Sequence, residues 1–253
     1  MYVVQNLKQE LIAEYLKILE DTSPLFIFSA LRSTSDYTGF SNIFLPDAPS
    51  EWVKGKRVLV VGRETRGWKP KIPINPSDGL LHCIQTLMEM HGSHFHNMME
   101  RPRERGMKFF NFMRHVGKIT GENNVAWGNI FALDWNEGIP TPAKTPHYSA
   151  LKVLSEKLLK AQIEVLQPDV IIFACGGAGN AVRRQFFPVK GADSVCSDGH
   201  TFEGTPNKYL WSFKLYNKIQ CFRIGHPSSR SKNNQMARKR VLVELRSYLR
   251  AIQ

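Results

Sequence analysis

Lys56-Arg57-Val58-Leu59-Val60-Val61-Gly62-Arg63-Glu64-Thr65-Arg66-Gly67-Trp68 is the stretch that decides the fold class. Residues 58–61 are apolar without alternation, the pattern of a parallel strand buried on both faces. The run stops at Gly62 and opens into a polar loop. In open α/β sheets ligands bind outside the carboxyl ends of the strands, so Glu64 stands where chemistry is expected. Three more stretches follow the same logic. Residues 125–133 carry Asn129 as the lone polar side chain of an apolar run, and residues 169–175 open into Gly176-Gly177-Ala178-Gly179. Ile219–Ile224 leads into Gly225-His226-Pro227-Ser228-Ser229-Arg230-Ser231. Strands alternating with helical segments predict an α/β fold whose central sheet is mainly parallel and four-stranded.

Working outward, residues 7–19 place Leu7, Leu11, Ile12, Tyr15, Leu16 and Leu19 at helical spacing, an amphipathic helix ending near Ser23-Pro24. Residues 1–54 read as an N-terminal, partly helical extension packed on a core formed by residues 55–253. Residues 69–106, with Pro70, Pro73, Pro76 and a Met-rich helix, read as an insertion near the active face. Residues 149–166 and 233–251 read as further helices. At 253 residues and 42% hydrophobic, the chain can bury one substantial core. Its four cysteines (83, 175, 196, 221) are scattered without a Cys-x-x-Cys pair, which predicts reduced thiols and no disulfide framework. No apolar run reaches 18 residues and the first residues are not a secretory signal, so a soluble, cytoplasmic monomer without a membrane partner is expected.

Charge points to the partner. The formal net charge is +12, and residues 223–250 hold eight Lys/Arg against one Glu. A basic footprint that concentrated suits a nucleic-acid backbone, although a solvated C-terminal helix has the same composition. A His at the mouth of a strand, with Pro227 and two hydroxyls shaping the turn, suits stabilisation of a developing negative charge.

A Gly-x-acid loop after the first strand, an Asn in a later strand, a Pro-Asp-Val strand ending in Gly, and a late His-Pro-Ser turn before a helix together resemble the uracil-DNA glycosylase superfamily. The resemblance covers roughly residues 55–250 and preserves motif order and approximate spacing. The loop Gly62–Trp68 is most similar to an outlying, mostly bacterial branch. It implies a three-layer α/β/α fold and a monofunctional DNA glycosylase that needs no metal or redox cofactor. The cysteine pattern argues against the iron–sulfur cluster of some branches, and no Lys nucleophile occupies the loop after Gly62.

Cleaving an N-glycosidic bond builds positive charge on the sugar and negative charge on the departing base. By the resemblance, Glu64 aligns with the family's water-activating acid and His226 with the donor aimed at the base oxygen. Paired with Arg63 or Arg66, Glu64 would instead be an ordinary loop acid. An enzyme acting on a base must take it out of the stack and read its edge. Asn129 matches the family's specificity Asn, Phe109 or Phe110 its stacking Phe, with Phe109 favoured, and Arg66 offers a bond to a base substituent. Arg230 aligns with the family's duplex wedge, while Ser228, Ser229, Lys232, Arg238, Lys239 and Arg240 are expected on DNA phosphates. In the family's uracil enzymes a Tyr after the acid loop stands against C5 of the base. Here Thr65-Arg66-Gly67 replaces Pro-Tyr-His, which leaves room for a C5 substituent. The expected substrate is therefore a bulky C5-modified cytosine of phage DNA, double- or single-stranded, with a role in antiviral defence.

Three rivals stay open. Trp68 can act as a substitute gate and leave uracil as the substrate of a repair enzyme. The fold can serve a non-catalytic nucleic-acid-binding protein. The Gly176–Gly179 run can serve a small-molecule nucleotide site, though the third Gly of a dinucleotide fingerprint is missing. His91-x-x-His94-x-His96 near Cys83 reads as a solvated His-rich loop, with a zinc site the lesser alternative, and Asp134-Trp135-Asn136-Glu137 is an acidic cluster at a strand end, a candidate second acid group of the active face without an assigned role.

Overall fold

The structure, a computed structural model, describes residues 2–68 and 73–252. The apolar run forms β1 (Val58–Gly62), buried at every position. β2 (Val125–Asn129), β3 (Val170–Phe173) and β6 (Ile219–Ile224) form where expected. The fold is α/β, but the sheet has six strands and not four, in the order β2-β1-β3-β6-β5-β4. β1 runs parallel to β3 and β3 to β6, whereas β5 (Leu210–Leu215) and β4 (Cys196–His200) extend the sheet antiparallel. β5 turns into β6 through Tyr216, Asn217 and Lys218, with Leu215 opposite Ile219; the first two residues are left-handed (φ 53° and 54°), a backbone that suits the twist of the paired strands. The strand expected over 125–133 stops at Asn129. Beyond it the backbone finds other partners: Phe44 donates to the carbonyl of Ala132 (2.8 Å), whose amide donates to Ser155 Oγ (3.0 Å).

Seven helices complete the described chain: α1 (Tyr2–Glu20), α2 (Pro24–Ile27), α3 (Leu80–Glu100), α4 (Lys108–Thr120), α5 (Tyr148–Leu166), α6 (Gly176–Phe186) and α7 (Lys232–Ala251). None is long and apolar enough to cross a membrane. The chain divides into two compact units. One comprises residues up to Ala48, Glu64–His96 and Asn129–Leu166; the other comprises Pro49–Arg63, Asn97–Gly128 and Gln167–Gln253. The first four residues of the expected insertion, 69–72, lie outside the described residues.

The second unit holds β1, β3, β4, β5, β6 and β2 as far as Gly128. At its base Asp169 accepts from Arg57 Nη2 (2.9 Å) and Nε (3.1 Å) and from the amides of Arg57 and Gly55. Burial pushes the Asp169 carboxyl up, but the bonds and charge from Arg57, with the Gly55 amide, outweigh it and hold it low. This clasp fixes the start of β1 against the start of β3. Their far ends, with that of β6, therefore release the chain along one edge, into Arg63, Cys175–Gly176 and Gly225–His226.

In the first unit α1 packs on α5, and Tyr15 donates to the carbonyl of Pro46 (3.0 Å). Between α2 and residue 41, buried Arg32 donates to the carbonyls of Leu25, Phe26, Phe40 and Ser41, so an irregular segment keeps its backbone satisfied. On α3, His91 is buried beside Phe44 and Phe95, and its Nδ1 accepts from the amide of Asp47 (3.0 Å). A backbone amide only donates, so a proton on Nδ1 would break this bond.

Burial, reinforced by His94, lowers His91 to about 3. An unfolded His takes its proton near pH 6.5. Between those values the unfolded chain binds a proton that the native chain does not. The His91 contribution to stability is thus complete above about pH 6.5 and declines by about 1.4 kcal/mol per pH unit as pH falls towards the folded value. His91→Asn retains an acceptor opposite the Asp47 amide but cannot titrate. Thermal melts from pH 7.5 to 4.5 should show a shallower decline for this variant than for the wild type; parallel declines refute the assignment.

Candidate functional site

The β6 edge carries the most specific geometry. His226 Nδ1 accepts from the amide of Ser228 (3.2 Å), with Ser228 Oγ 2.7 Å away. Because the amide can only donate, the neutral imidazole carries its proton on Nε2. The rest of the turn is built around that bond. Ser229 donates its amide to the carbonyl of His226 (2.9 Å), and Pro227 is buried. Asn234 Nδ2 donates to Ser229 Oγ (2.7 Å) and Ser231 Oγ (2.9 Å), while Ser231 Oγ caps α7 through the Asn234 amide (3.2 Å). Gly225 leaves room for this network: a Cβ there would lie 2.0 Å from Asn234 Oδ1 and displace that side chain. Gly176, left-handed at φ 72°, packs on the other side, where a Cβ would sit 3.2 Å from His226 Cβ. The Gly176–Gly179 run is thus the first turn of α6 and not a loop.

Phe109 faces His226, ring planes within 16° and centroids 6.1 Å apart. Phe112, also on α4, is core, whereas Phe109 and Phe110 are both half-buried. Trp127 of β2 supports them, with centroids 5.9 Å from Phe109 and 5.2 Å from Phe110. Trp127 belongs to none of the motifs that mark the other site residues. Its signal was an aromatic one period-two step before Asn129 on the same strand. Phe109, Phe110, Trp127 and His226 belong to the second unit; Glu64, Arg66 and Asn129 belong to the first.

In the first unit the Glu64 side chain is only 2% exposed, whereas that of Arg66 is 68% exposed. The two approach loosely, Arg66 Nε to Glu64 Oε1 at 3.9 Å. Glu64 is therefore not a solvated loop acid. Arg66 and Gly67 both turn left-handed (φ 57° and 87°). The reason for this tight loop is Asp134, 1% exposed. Its Oδ2 accepts from Thr65 Oγ1 (2.9 Å) and the amides of Gly67 (2.7 Å) and Trp68 (3.4 Å); its Oδ1 accepts from the Glu137 amide (3.0 Å). The acidic cluster thus splits by role. Asp134 organises the Glu64 loop, while Asn136 and Glu137 (φ 47° and 59°) form a two-residue turn between Trp135 and Gly138. Asn129 is buried at the end of β2. Trp68 is 7% exposed, its ring against Phe44 (5.4 Å) and His94 (5.3 Å).

The basic residues of α7 divide. Lys232 and Lys239 are exposed, as is Arg230 before the helix. Arg238 donates to the carbonyl of Ser229 (3.1 Å) and so helps to build the turn. Arg240 pairs with Glu244 (2.5 Å) and lies over Phe202. Compared with protein-family models and with curated protein sequences, the chain matches none.

Proposed function

We propose that the protein is a monofunctional DNA glycosylase that releases a flipped, C5-modified pyrimidine. The observation that carries this reading is His226, an imidazole locked as the Nε2–H tautomer and facing the parallel ring of Phe109. In the reaction the C1′–N1 bond breaks with both electrons leaving on the base. Negative charge grows on the base O2, to which His226 Nε2–H donates, and Phe109 stacks on the base face. The family resemblance gives Glu64 the water that adds to C1′: Glu64 accepts the water's proton and passes it to solvent, and the departing base anion takes up a proton from solvent, leaving an abasic site. Asn129 bonds the base edge. In this reading β2-β1-β3-β6 is the four-stranded core of a three-layer glycosylase fold, to which β5 and β4 are added. The partner is DNA, gripped by Arg230, Lys232 and Lys239, and the setting is the cytoplasm.

Trp68 bears on the substrate. Packed against Phe44 and His94, its ring is occupied by the first unit's core, which supports a site without an aromatic gate over uracil. Arg66, exposed in the Glu64 loop, is the group to bond a polar C5 substituent.

The test is base release followed by mass spectrometry, on uracil-containing duplex and on phage DNA bearing glucosylated hydroxymethylcytosine. The modified cytosine should be released with an abasic site left behind. Release of uracil alone would identify a repair enzyme, and tight binding with no released base would identify a non-catalytic DNA-binding protein. A thermal shift with mononucleotides but none with DNA would favour a nucleotide site at α6.

A further inference from the structure

We infer that residues 101–108, which lead into α4, form a second phosphate-binding surface for duplex DNA, separate from the basic residues around α7. Arg101-Pro102-Arg103-Glu104-Arg105-Gly106-Met107-Lys108 places four cations against one acid in eight residues. All four cations are exposed, and none is ion-paired among the described residues. A cationic run is ordinarily a solvated tether. This one is held.

Asn111, buried on the first turn of α4, donates from Nδ2 to the carbonyl of Glu104 (2.8 Å). Arg114, also buried, donates to Asn111 Oδ1 (2.5 Å) and to the carbonyl of Met98. These two side chains thus hold the run at two points, the carbonyl of Met98 just before it and that of Glu104 within it. Gly106 supplies the left-handed turn (φ 104°) that brings the chain round to Lys108. The surface continues onto the helix: His115 is held below its usual value by burial and by Lys118, Arg103 and Arg114.

Unpaired guanidinium groups held on a fixed backbone suit phosphate, whose oxygens accept two parallel N–H donors. The location commits the partner. Lys108 immediately precedes Phe109, the ring facing His226, so the surface borders the proposed base site and the phosphates flanking an extruded nucleotide pass it. α4 packs against α7, so exposed cations stand on two adjoining elements of one unit. The placement beside the base rests on the glycosylase reading; the phosphate grip itself does not.

The experiment compares the wild-type protein with the triple variant Arg101→Gln, Arg103→Gln, Arg105→Gln. Duplex affinity is measured without a target base between about 50 and 200 mM salt, and log K is plotted against log salt, where each phosphate contact contributes about 0.9 to the slope. The variant should lose about two to three units of slope while retaining its melting temperature and its single-turnover excision rate at saturating DNA. An unchanged slope overturns the inference. So does an unchanged duplex slope combined with lost binding to vesicles of anionic phospholipid, which would assign the surface to a membrane. Base release with an unchanged slope refutes this surface and leaves the glycosylase intact. A lost slope in a protein that releases no base sustains the surface and refutes the glycosylase.

Discussion

His226→Ala should lower single-turnover excision by about 10²–10³-fold while leaving duplex affinity within a few-fold of wild type, the range measured when one preorganised donor to a developing oxyanion is removed. The expectation follows from the tautomer. Nδ1 is engaged by the Ser228 amide, so the neutral ring already carries its proton on Nε2 before the base begins to leave. Ser228→Ala keeps that amide and should therefore lose far less than His226→Ala. Glu64→Gln tests the other charge. Only 2% of its side chain is exposed, so it adds little to the DNA-facing surface, and the amide that replaces it cannot accept the attacking water's proton. A loss of the same order is expected. Excision near the wild-type rate in Glu64→Gln would return Glu64 to a structural role, and parallel losses of rate and affinity in His226→Ala would make His226 a part of the turn alone.

The parts of this arrangement that could be read from the chain are those whose signal is local. Residues 58–61 and 170–173 are apolar on both strand faces, which only a strand covered on both sides requires, and both strands formed. The turn at 225–231 carries its own glycine, proline and hydroxyls. β4 was invisible because Cys196-Ser197-Asp198-Gly199-His200 is a largely exposed edge, with Asp198 left-handed and no apolar pattern to detect. β5 alternates, but Tyr216-Asn217 is not the Asn-Gly pair that marks a hairpin most clearly. Arg32 left no sequence signal, and the acidic cluster that contains Asp134 showed no role, for another reason. Each is a charged residue whose burial is explained by partners distant in sequence or by main-chain atoms, and neither leaves a mark on composition or periodicity.

Asp134 also carries the largest expected effect on the fold of the first unit. Its carboxylate receives four hydrogen bonds, three from the Thr65–Trp68 loop and one from the Glu137 amide, and its own amide donates to Ser41 Oγ (2.9 Å). Asp134→Ala would leave those donors without an acceptor where little water reaches, at about 1–3 kcal/mol for each donor left unsatisfied. Relaxation of the loop recovers part of this, so a net loss of about 3–5 kcal/mol is expected, the range for breaking a buried charged contact by removing one partner. Because that loss can obscure any effect on chemistry, the decisive comparison is at Thr65. Thr65→Val removes one bond to Asp134 with almost no change in shape, and Thr65→Ser restores the hydroxyl. If Asp134 serves Glu64 by holding the loop, Thr65→Val should cut the single-turnover rate about tenfold at unchanged duplex affinity, the size expected when an interaction of about 1.4 kcal/mol present only in the transition state is lost. Thr65→Ser should return most of it. A Thr65→Val protein that melts earlier yet excises at the wild-type rate would show that Asp134 stabilises the first unit without setting the geometry of Glu64.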